Sequence, residues 1–401
     1  PDRAVYFADW YDSRLSHLDP RDTWHKSSGR IYRMHAKNAK PIKPFDLKKY
    51  SNTELIMELA NPNKWFRQTA QRLLADRRDP KIIPTLKGLV KANRDELALD
   101  AFWASKHSGG FTPEYARETL NHPHPHVRFW TIRLLGDGHL MNADLRAQLT
   151  ALAGSEGNAE VRSCLAASCK RWPAKDSFPI LAQLIRREED VNGKHIPLLL
   201  WWALEDKSTS DLTELVKLLR DQELWKTPMM QQHLLPRIAQ RYGAEPIGPN
   251  LAMAGALFSL APTAADKDRL VNGLEAGLKG GSAEEPPLIL RKEVKALWTT
   301  RPHSPTLISL ATRVGLTEAM DKAVALINDP KTSAADKREL TQLLAERRSE
   351  VAQRLLLQQF SAEKSSNRRI EIMTALQRFE SDQIAPALLD RWETMSSREH
   401  E

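Results

Sequence analysis

The sequence predicts an all-α protein whose helices pair into repeating units, an α-solenoid, with a few β-strands ahead of them. Two observations predict this fold. Apolar residues alternate with a period of two up to about residue 35, and from residue 51 onward they follow the helical period of 3.6. The helical pattern then returns at intervals of 61, 34 and 35 residues, which is typical of stacked helical hairpins.

Composition excludes several classes of protein. The chain has 401 residues, of which 41% are hydrophobic, so it is long enough to bury the cores of two or three domains. Its longest uncharged apolar stretches, residues 196–204 and 251–261, are shorter than the roughly 20 residues that a bilayer requires. Two cysteines exclude a disulfide framework and a four-thiolate zinc site.

The positive charge is concentrated near the start of the chain. The net charge is +8, and residues 1–50 hold 11 Lys and Arg against 6 Asp and Glu, which leaves the rest nearly neutral. A protein that binds along a nucleic-acid phosphate backbone usually spreads its basic residues over one face of the fold, because affinity comes from many simultaneous phosphate contacts. A short basic stretch with Pro41 and Pro44 is typical of a linker instead, and we assign residues 36–50 to one.

Three short strands are predicted in residues 1–35, at residues 4–10, 14–18 and 30–35. Three such strands do not make a stable domain, so we expect the end of a larger β-domain and a chain that is a piece of a longer protein. Their polar residues are Asp9, Asp12, His17, Asp19 and Arg30. Asp9, Asp12, His17 and Asp19 could gather around a hard cation, but no fixed ligand spacing is present. The favoured interpretation is that the carboxylates cap turns and form ion pairs with arginines such as Arg30.

Helical repeats are predicted over residues 51–243. The first repeated helix face is formed by Phe66, Thr69, Ala70, Leu73 and Leu74, and the later copies begin at Val127, Val161 and Ile196. In three copies an arginine follows the first apolar residue: Arg67, Arg128 and Arg162. A turn with Asn or Pro followed by an apolar residue and Arg resembles the HEAT-repeat signature. That resemblance implies that the arginine stabilises the repeat by bonding to the turn of a neighbouring repeat.

Further helices are predicted over residues 244–395, at residues 251–260, 266–278, 289–298, 306–328, 334–360 and 367–392. Gly and Pro residues between 280 and 287 predict an internal break. The polar tail 396–401 is expected to be a linker.

Other chemistry-bearing residues have ordinary structural interpretations. The segment His122-Pro-His124-Pro-His126 falls in a repeat turn, where two prolines oppose convergence on a metal. Cys164 and Cys169 stand about 140° apart around one helix and are predicted to be small buried residues. Six tryptophans could line a stacking groove, but helix-packing positions favour core roles for Trp103, Trp130, Trp172, Trp201, Trp202 and Trp225.

A family resemblance joins the two halves of the sequence. Residues 5–12, VYFADWYD, and residues 29–33, GRIYR, resemble the closing strands of the β-propeller in membrane-bound dehydrogenases of the Pirellula/Verrucomicrobium type. The repeats at residues 61–74, 122–136 and 195–205 resemble the same family. It has a propeller similar to quinoprotein sugar dehydrogenases, then HEAT-like repeats, then a domain that attaches c-type haem.

The resemblance implies a connector without a catalytic site of its own. Residues 1–35 would be the last strands of a truncated propeller, and the helices would space it from the haem domain of an exported or periplasmic bacterial oxidoreductase. Any quinone or haem would be held outside this chain, whose partners would be those two domains or another protein. The sequence itself contains no phosphate loop, dinucleotide fingerprint, zincin motif, nucleophile elbow or C-x-x-C-H, so whether it is an enzyme stays open.

A nucleic-acid-binding protein similar to the HEAT-repeat DNA glycosylases is the alternative. The basic pI near 9.3 favours it, as do the arginines Arg67, Arg72, Arg128, Arg133, Arg162 and Arg171. The near-neutral charge after residue 50 argues against nucleic-acid binding. A docking scaffold with no redox parent is a third possibility.

Overall fold

A computed structural model describes residues 4–9, 27, 29–38, 45–279, 286–301, 304–347 and 350–400. Over these residues the chain is mostly helical, with 23 α-helices and one two-stranded sheet, so the predicted all-α class is confirmed. The chain divides into two compact units, Pro1–Thr131 and Ile132–Glu401. None of the helices in the described ranges is long and apolar enough to cross a membrane.

The sheet in the first unit is small and open to solvent. Strand β1 (Ala4–Asp9) runs antiparallel to β2 (Arg30–His35), with Ala4 opposite His35 and Asp9 opposite Arg30. These are two of the three predicted strands, and the third, at residues 14–18, lies outside the described residues. Val5 is 59% exposed and Ile31, on the other face, is 78% exposed. A two-stranded sheet with both faces in water is marginally stable by itself.

Five helices and the start of a sixth complete the first unit. Their bounds are α1 (Asn52–Glu58), α2 (Lys64–Arg77), α3 (Ile83–Ala92), α4 (Glu96–His107), α5 (Pro113–Thr119) and α6 (Pro125–Asp137). Asn63 and Asp95 accept hydrogen bonds from backbone N–H groups in the first turns of α2 and α4, and Ser51 with Glu54 forms a capping box on α1. Helix α2 packs against both α1 and α4, which makes α1–α2 and α3–α4 successive hairpins.

The second unit contains the rest of α6 and all later helices. Its first half holds α7 (Ala143–Ser155), α8 (Ala159–Cys169), α9 (Ala174–Ile185), α10 (Ile196–Glu205), α11 (Leu212–Leu219), α12 (Gln222–Trp225), α13 (Leu235–Ala244) and α14 (Gly248–Leu260). Its second half holds α15 (Ala264–Leu278), α16 (Leu288–Thr300), α17 (Pro305–Arg313), α18 (Thr317–Asn328), α19 (Ala334–Arg347), α20 (Glu350–Ala362), α21 (Ser366–Leu376), α22 (Ile384–Leu389) and α23 (Ser397–His400). A π-helical turn, Met230–Leu234, leads into α13.

Helices in the second unit pack against their second neighbours along the chain. Helix α7 contacts α9, α8 contacts α10, and the series α13, α15, α17, α19 and α21 is in contact from each member to the next. Second-neighbour packing places equivalent helices of successive hairpins side by side, which is the arrangement of helical repeats. Val127, Val161 and Ile196, the first residues of the predicted repeat faces, are all buried.

Three predicted helices prove to be two elements each. The predicted helix 306–328 is interrupted by Gly315, whose φ of +86° ends α17. The Leu316 and Gly315 N–H groups donate to the carbonyls of Ala311 and Thr312, a Schellman ending that glycine favours. The predicted helices 334–360 and 367–392 contain α19 with α20 and α21 with α22, respectively.

The ends of the predicted linkers are ordered in the structure. In the 36–50 stretch, Leu47–Lys49 forms a short 3-10 helix with Leu47 buried, and residues 39–44 lie outside the described part. The tail 396–401 is predicted to be a linker, but it contains the short helix α23, in which Glu399 is buried.

Helices α13 and α15 approach each other through glycines. A Cβ atom at Gly273 would clash with the carbonyl oxygen of Pro236, and one at Gly277 would clash with that of Gln240. From the opposite helix, a Cβ at Gly243 would lie 2.6 Å from the carbonyl oxygen of Leu274. These positions require glycine because backbone, rather than side chains, forms the contact.

Candidate functional site: arginine clamps, a charged ladder and aromatic residues

The predicted repeat arginines share one geometry. In each, the guanidinium Nη1 donates to the carbonyls six and five residues earlier, in the turn before its own helix. The distances are 3.0 and 3.3 Å from Arg67 to Asn61 and Pro62, 2.7 and 3.0 Å from Arg128 to His122 and Pro123, and 3.0 and 3.0 Å from Arg162 to Glu156 and Gly157. The resemblance implied a bond to the turn of a neighbouring repeat, whereas these bonds close the arginine's own turn.

The remaining guanidinium nitrogens reach the next helical pair. Arg67 donates from Nε to Asp100, at 3.0 Å, and from Nη2 to Glu96, at 3.0 Å, both on α4. Arg162 makes a bidentate contact with Asp190, at 2.6 Å from Nε and 2.6 Å from Nη2. Each of these two arginines therefore connects its own turn to the following unit, and we call this arrangement an arginine clamp.

A further clamp lies at Arg369, which sequence reasoning missed. Its Nη1 donates to Glu363 O and Lys364 O at 3.2 Å each, again six and five residues earlier. Its Nε and Nη2 contact Glu399 at 2.5 and 3.0 Å. The sequence pattern does not mark this arginine, because Arg368 precedes it where the other copies have Phe or Val. Its partner Glu399 also lies in the tail that was predicted to be a linker.

A buried charged ladder crosses the alternate helices of the second unit. Glu275 on α15 contacts Arg313 on α17 at 3.0 Å, and Arg313 contacts Glu346 on α19 at 2.5 Å. All three side chains are 8% exposed or less. Ser309 donates to Glu275 at 2.5 Å, and burial raises the pKa of that carboxyl group. Its three members lie on α15, α17 and α19, which belong to successive helical units, so the ladder links three units through buried ion pairs.

The predicted polar cluster is only partly within the described chain. Asp9 and Arg30 are opposite each other in the sheet, and the Arg30 guanidinium donates to the carbonyls of Ser27 and Gly29 at 3.0 Å each. Asp12, His17 and Asp19 lie outside the described residues. Within the described ranges, no group of three or more His, Cys, Asp or Glu side chains is placed to hold a metal ion.

The histidines of the turn before α6 have structural contacts. His122 donates from Nε2 to Val90 O at 2.8 Å, and its Nδ1 accepts the His124 N–H at 3.1 Å. The rings of His124 and His126 are 5.5 Å apart, and burial lowers the pKa of His124. His122 thus ties the turn to the end of α3.

Both cysteines are free thiols on α8, and both are buried. Burial raises the pKa of Cys164 to about 12 and raises that of Cys169 as well. The Cys169 thiol lies 3.8 Å from Ser177 O. These are the small buried residues that the sequence predicted.

The tryptophans divide into core and surface positions. Trp172 and Trp225 are buried and donate to Leu135 O at 3.4 Å and Leu219 O at 2.8 Å. Trp103 packs edge-on against Trp130, 4.7 Å between centroids. Trp201 is partly buried, but Trp202 is 46% exposed on α10, contrary to the core role that its spacing predicted.

The fold and its clamps define a helical-repeat protein. No protein-family model matches the chain, and no curated protein matches its sequence. The helical-repeat class therefore rests on the packing of the helices and the arginine clamps in the described residues.

Proposed function

We propose that this chain is a HEAT-type scaffold, the connector segment of a larger exported dehydrogenase-like protein. It spaces a β-propeller from a haem domain and offers a docking surface to these or to another protein. The single observation that carries the HEAT assignment is the clamp, in which arginine closes a turn six and five residues earlier and, at Arg67, Arg162 and Arg369, also holds a carboxylate about 30 residues onward.

The exposed sheet supports the connector role. Val5, Phe7, Tyr32 and Met34 share one face by register, and each is at least 46% exposed. Phe7 stacks on Tyr32 with 5.3 Å between centroids. A face of this composition is stable when neighbouring strands or another sheet cover it, as in the last blade of a propeller.

The chain's own residues do not fit a haem. Covalent c-type attachment needs C-x-x-C-H, and the two cysteines stand at 164 and 169, buried within α8. In this proposal the haem therefore belongs to another part of the parent protein, and the chain's contribution is spacing and orientation.

The gene that encodes the chain tests the connector proposal directly. We expect β-rich blade repeats in frame upstream of Pro1 and a C-x-x-C-H motif in frame downstream of Glu401. An initiator codon immediately before Pro1, without β-rich sequence ahead of it, would overturn the proposal. If the proposal holds, the full-length gene product should show covalently bound haem in a denaturing gel, and the present chain expressed alone should not.

The nucleic-acid alternative is less well supported by the geometry. Arg67, Arg128 and Arg162 are engaged with turn carbonyls, and Arg133 and Arg171 contact Asp137 at 3.1 and 3.5 Å. Cations already bonded within the fold are poorly placed to bind phosphates. A labelled duplex whose mobility shift weakens steeply between low and physiological salt would favour this alternative over the scaffold.

A further inference from the structure

A cavity of about 540 Å³ lies in the second unit, among helices α18 to α21. Its apolar lining residues include Leu355, which is partly exposed, and the buried Ile327 and Ile372 behind it. Lys337, Lys364 and Arg368 are among its polar lining residues. The volume is within the range of sites that hold small ligands or a few residues of a peptide.

The cavity is positively charged. Arg368 contacts Glu371 at 2.7 Å, which offsets its charge, but Lys337 and Lys364 make no ion pair with any side chain in the described ranges. The single lining carboxylate, among those the structure describes, is Glu363, and its Oε1 accepts the Lys364 and Ser365 N–H groups at 2.8 and 2.9 Å. Two ammonium groups are therefore available to an anion.

Gln359 adds an independent feature. Its amide oxygen and nitrogen are both buried, and neither has a hydrogen-bond partner in the described structure. A buried amide without partners is unfavourable, and it is relieved when another amide supplies the complementary donor and acceptor. Since Gln359 lines the cavity, a rotation of its terminal amide would present that donor and acceptor to an occupant.

We propose that this cavity binds a peptide segment of a partner protein that carries a carboxylate beside an apolar side chain. The carboxylate pairs with Lys337 and Lys364, the apolar side chain packs on Leu355, and the peptide backbone pairs with the Gln359 amide. A bare anion would satisfy the ammonium groups but would leave the apolar wall and the amide unused. The proposal deepens the docking role proposed above and rests on it.

The test uses the whole chain and two fluorescein-labelled octapeptides, the acidic GSLEELSG and its neutral counterpart GSLQQLSG, in fluorescence anisotropy. We expect saturable binding of the acidic peptide, weakened by salt, and at least about tenfold weaker binding of the neutral one. Lys364→Glu should reduce the affinity for the acidic peptide by about tenfold or more. Lys322, on α18, is exposed and lies outside the cavity, so Lys322→Glu should leave that affinity unchanged.

Gln359→Leu separates binding from folding. Because the native amide lacks partners, the variant should have an unchanged or higher melting temperature and yet bind the acidic peptide several-fold more weakly. Three results would overturn the proposal: equal binding of both peptides, equal effects of Lys322→Glu and Lys364→Glu, or displacement by inorganic phosphate where sodium chloride of equal ionic strength leaves the peptide bound. So would tighter binding of single-stranded DNA than of the acidic peptide. None of these results bears on the reading-frame test of the connector role.

Discussion

Arg162 holds Asp190 through two parallel contacts of 2.6 Å, and both side chains are nearly removed from solvent, 5% and 4% exposed. The third guanidinium nitrogen donates to the carbonyls of Glu156 and Gly157. One side chain thus satisfies the turn before α8 and anchors a carboxylate 28 residues later. Planar guanidinium geometry allows this, and a lysine ammonium does not supply the same fork.

Replacing Arg162 by alanine should destabilise the second unit strongly. The variant leaves the Asp190 carboxylate buried without a partner and two turn carbonyls without donors, for a loss of roughly 3–5 kcal/mol in unfolding free energy. Urea denaturation followed by far-UV circular dichroism measures it. Arg162→Lys should recover only a small part of the loss, because it cannot bond Asp190 and the turn together.

Arg186 provides the matched control for this prediction. It contacts Asp221 at 2.5 Å, but both side chains are partly exposed, 35% and 41%. An ion pair in water contributes little, so Arg186→Ala should cost less than about 1 kcal/mol. Equal losses for the two alanine variants would show that the clamp has no special role.

Much of the helical part could be predicted from the sequence because the apolar period reports burial directly. Val127, Val161 and Ile196 mark helix faces that the structure buries. What could not be predicted depends on contacts between distant residues. Arg313 and Glu346 count as surface residues in any pattern of hydrophobicity, although the structure buries both. The missed break between α17 and α18 has a local cause, since a glycine such as Gly315 ends a helix only if its φ becomes positive.

The candidate sites were less accessible to sequence reasoning. The arginines at 67, 128 and 162 could be found because an apolar or aromatic residue precedes each of them. Arg369 could not, because Arg368 precedes it. The cavity lined by Gln359 combines residues from four helices, so no linear pattern marks it.

The pair formed by Arg369 and Glu399 should make stability depend on pH in the acid range. Hydrogen bonding from the Arg369 guanidinium holds the pKa of Glu399 well below its usual value of 4.5. A folded-state pKa below the unfolded value means that the stabilisation is complete above about pH 4.5 and is lost as pH falls toward the folded-state pKa. Melting temperatures measured across this range should therefore fall with acidification.

Glu399→Gln tests the origin of that pH dependence. The variant should be less stable at neutral pH and should show a shallower decline below pH 4.5, because the titrating group is gone. Glu393→Gln, a change at an exposed position six residues earlier in the 3-10 helix Trp392–Thr394, should leave the profile unchanged. Identical profiles for Glu399→Gln and the parent protein would contradict the assignment.

Neither cysteine should react in the folded protein. Burial raises the pKa of Cys164 to about 12, and the Cys169 thiol is raised too, so both are protonated and out of contact with solvent at pH 8. Ellman's reagent should label negligible thiol in the native chain and two thiols per chain in denaturant. Fast native labelling of one thiol would show that α8 opens locally.

The glycine contact between α13 and α15 should be the most sensitive packing site for a small substitution. A Cβ at Gly277 meets the Gln240 carbonyl, which belongs to a helix backbone and cannot move as a side chain would. Gly277→Ala should therefore lower the free energy of unfolding by about 3 kcal/mol and speed amide hydrogen exchange in α13 and α15. In contrast, Gly88 in α3 has no atom within 4 Å of a new Cβ, and Gly88→Ala should stabilise its helix by about 0.5–1 kcal/mol. Urea denaturation and exchange mass spectrometry of both variants measure the difference, and a neutral Gly277→Ala would mean that α13 and α15 lie further apart than the structure places them.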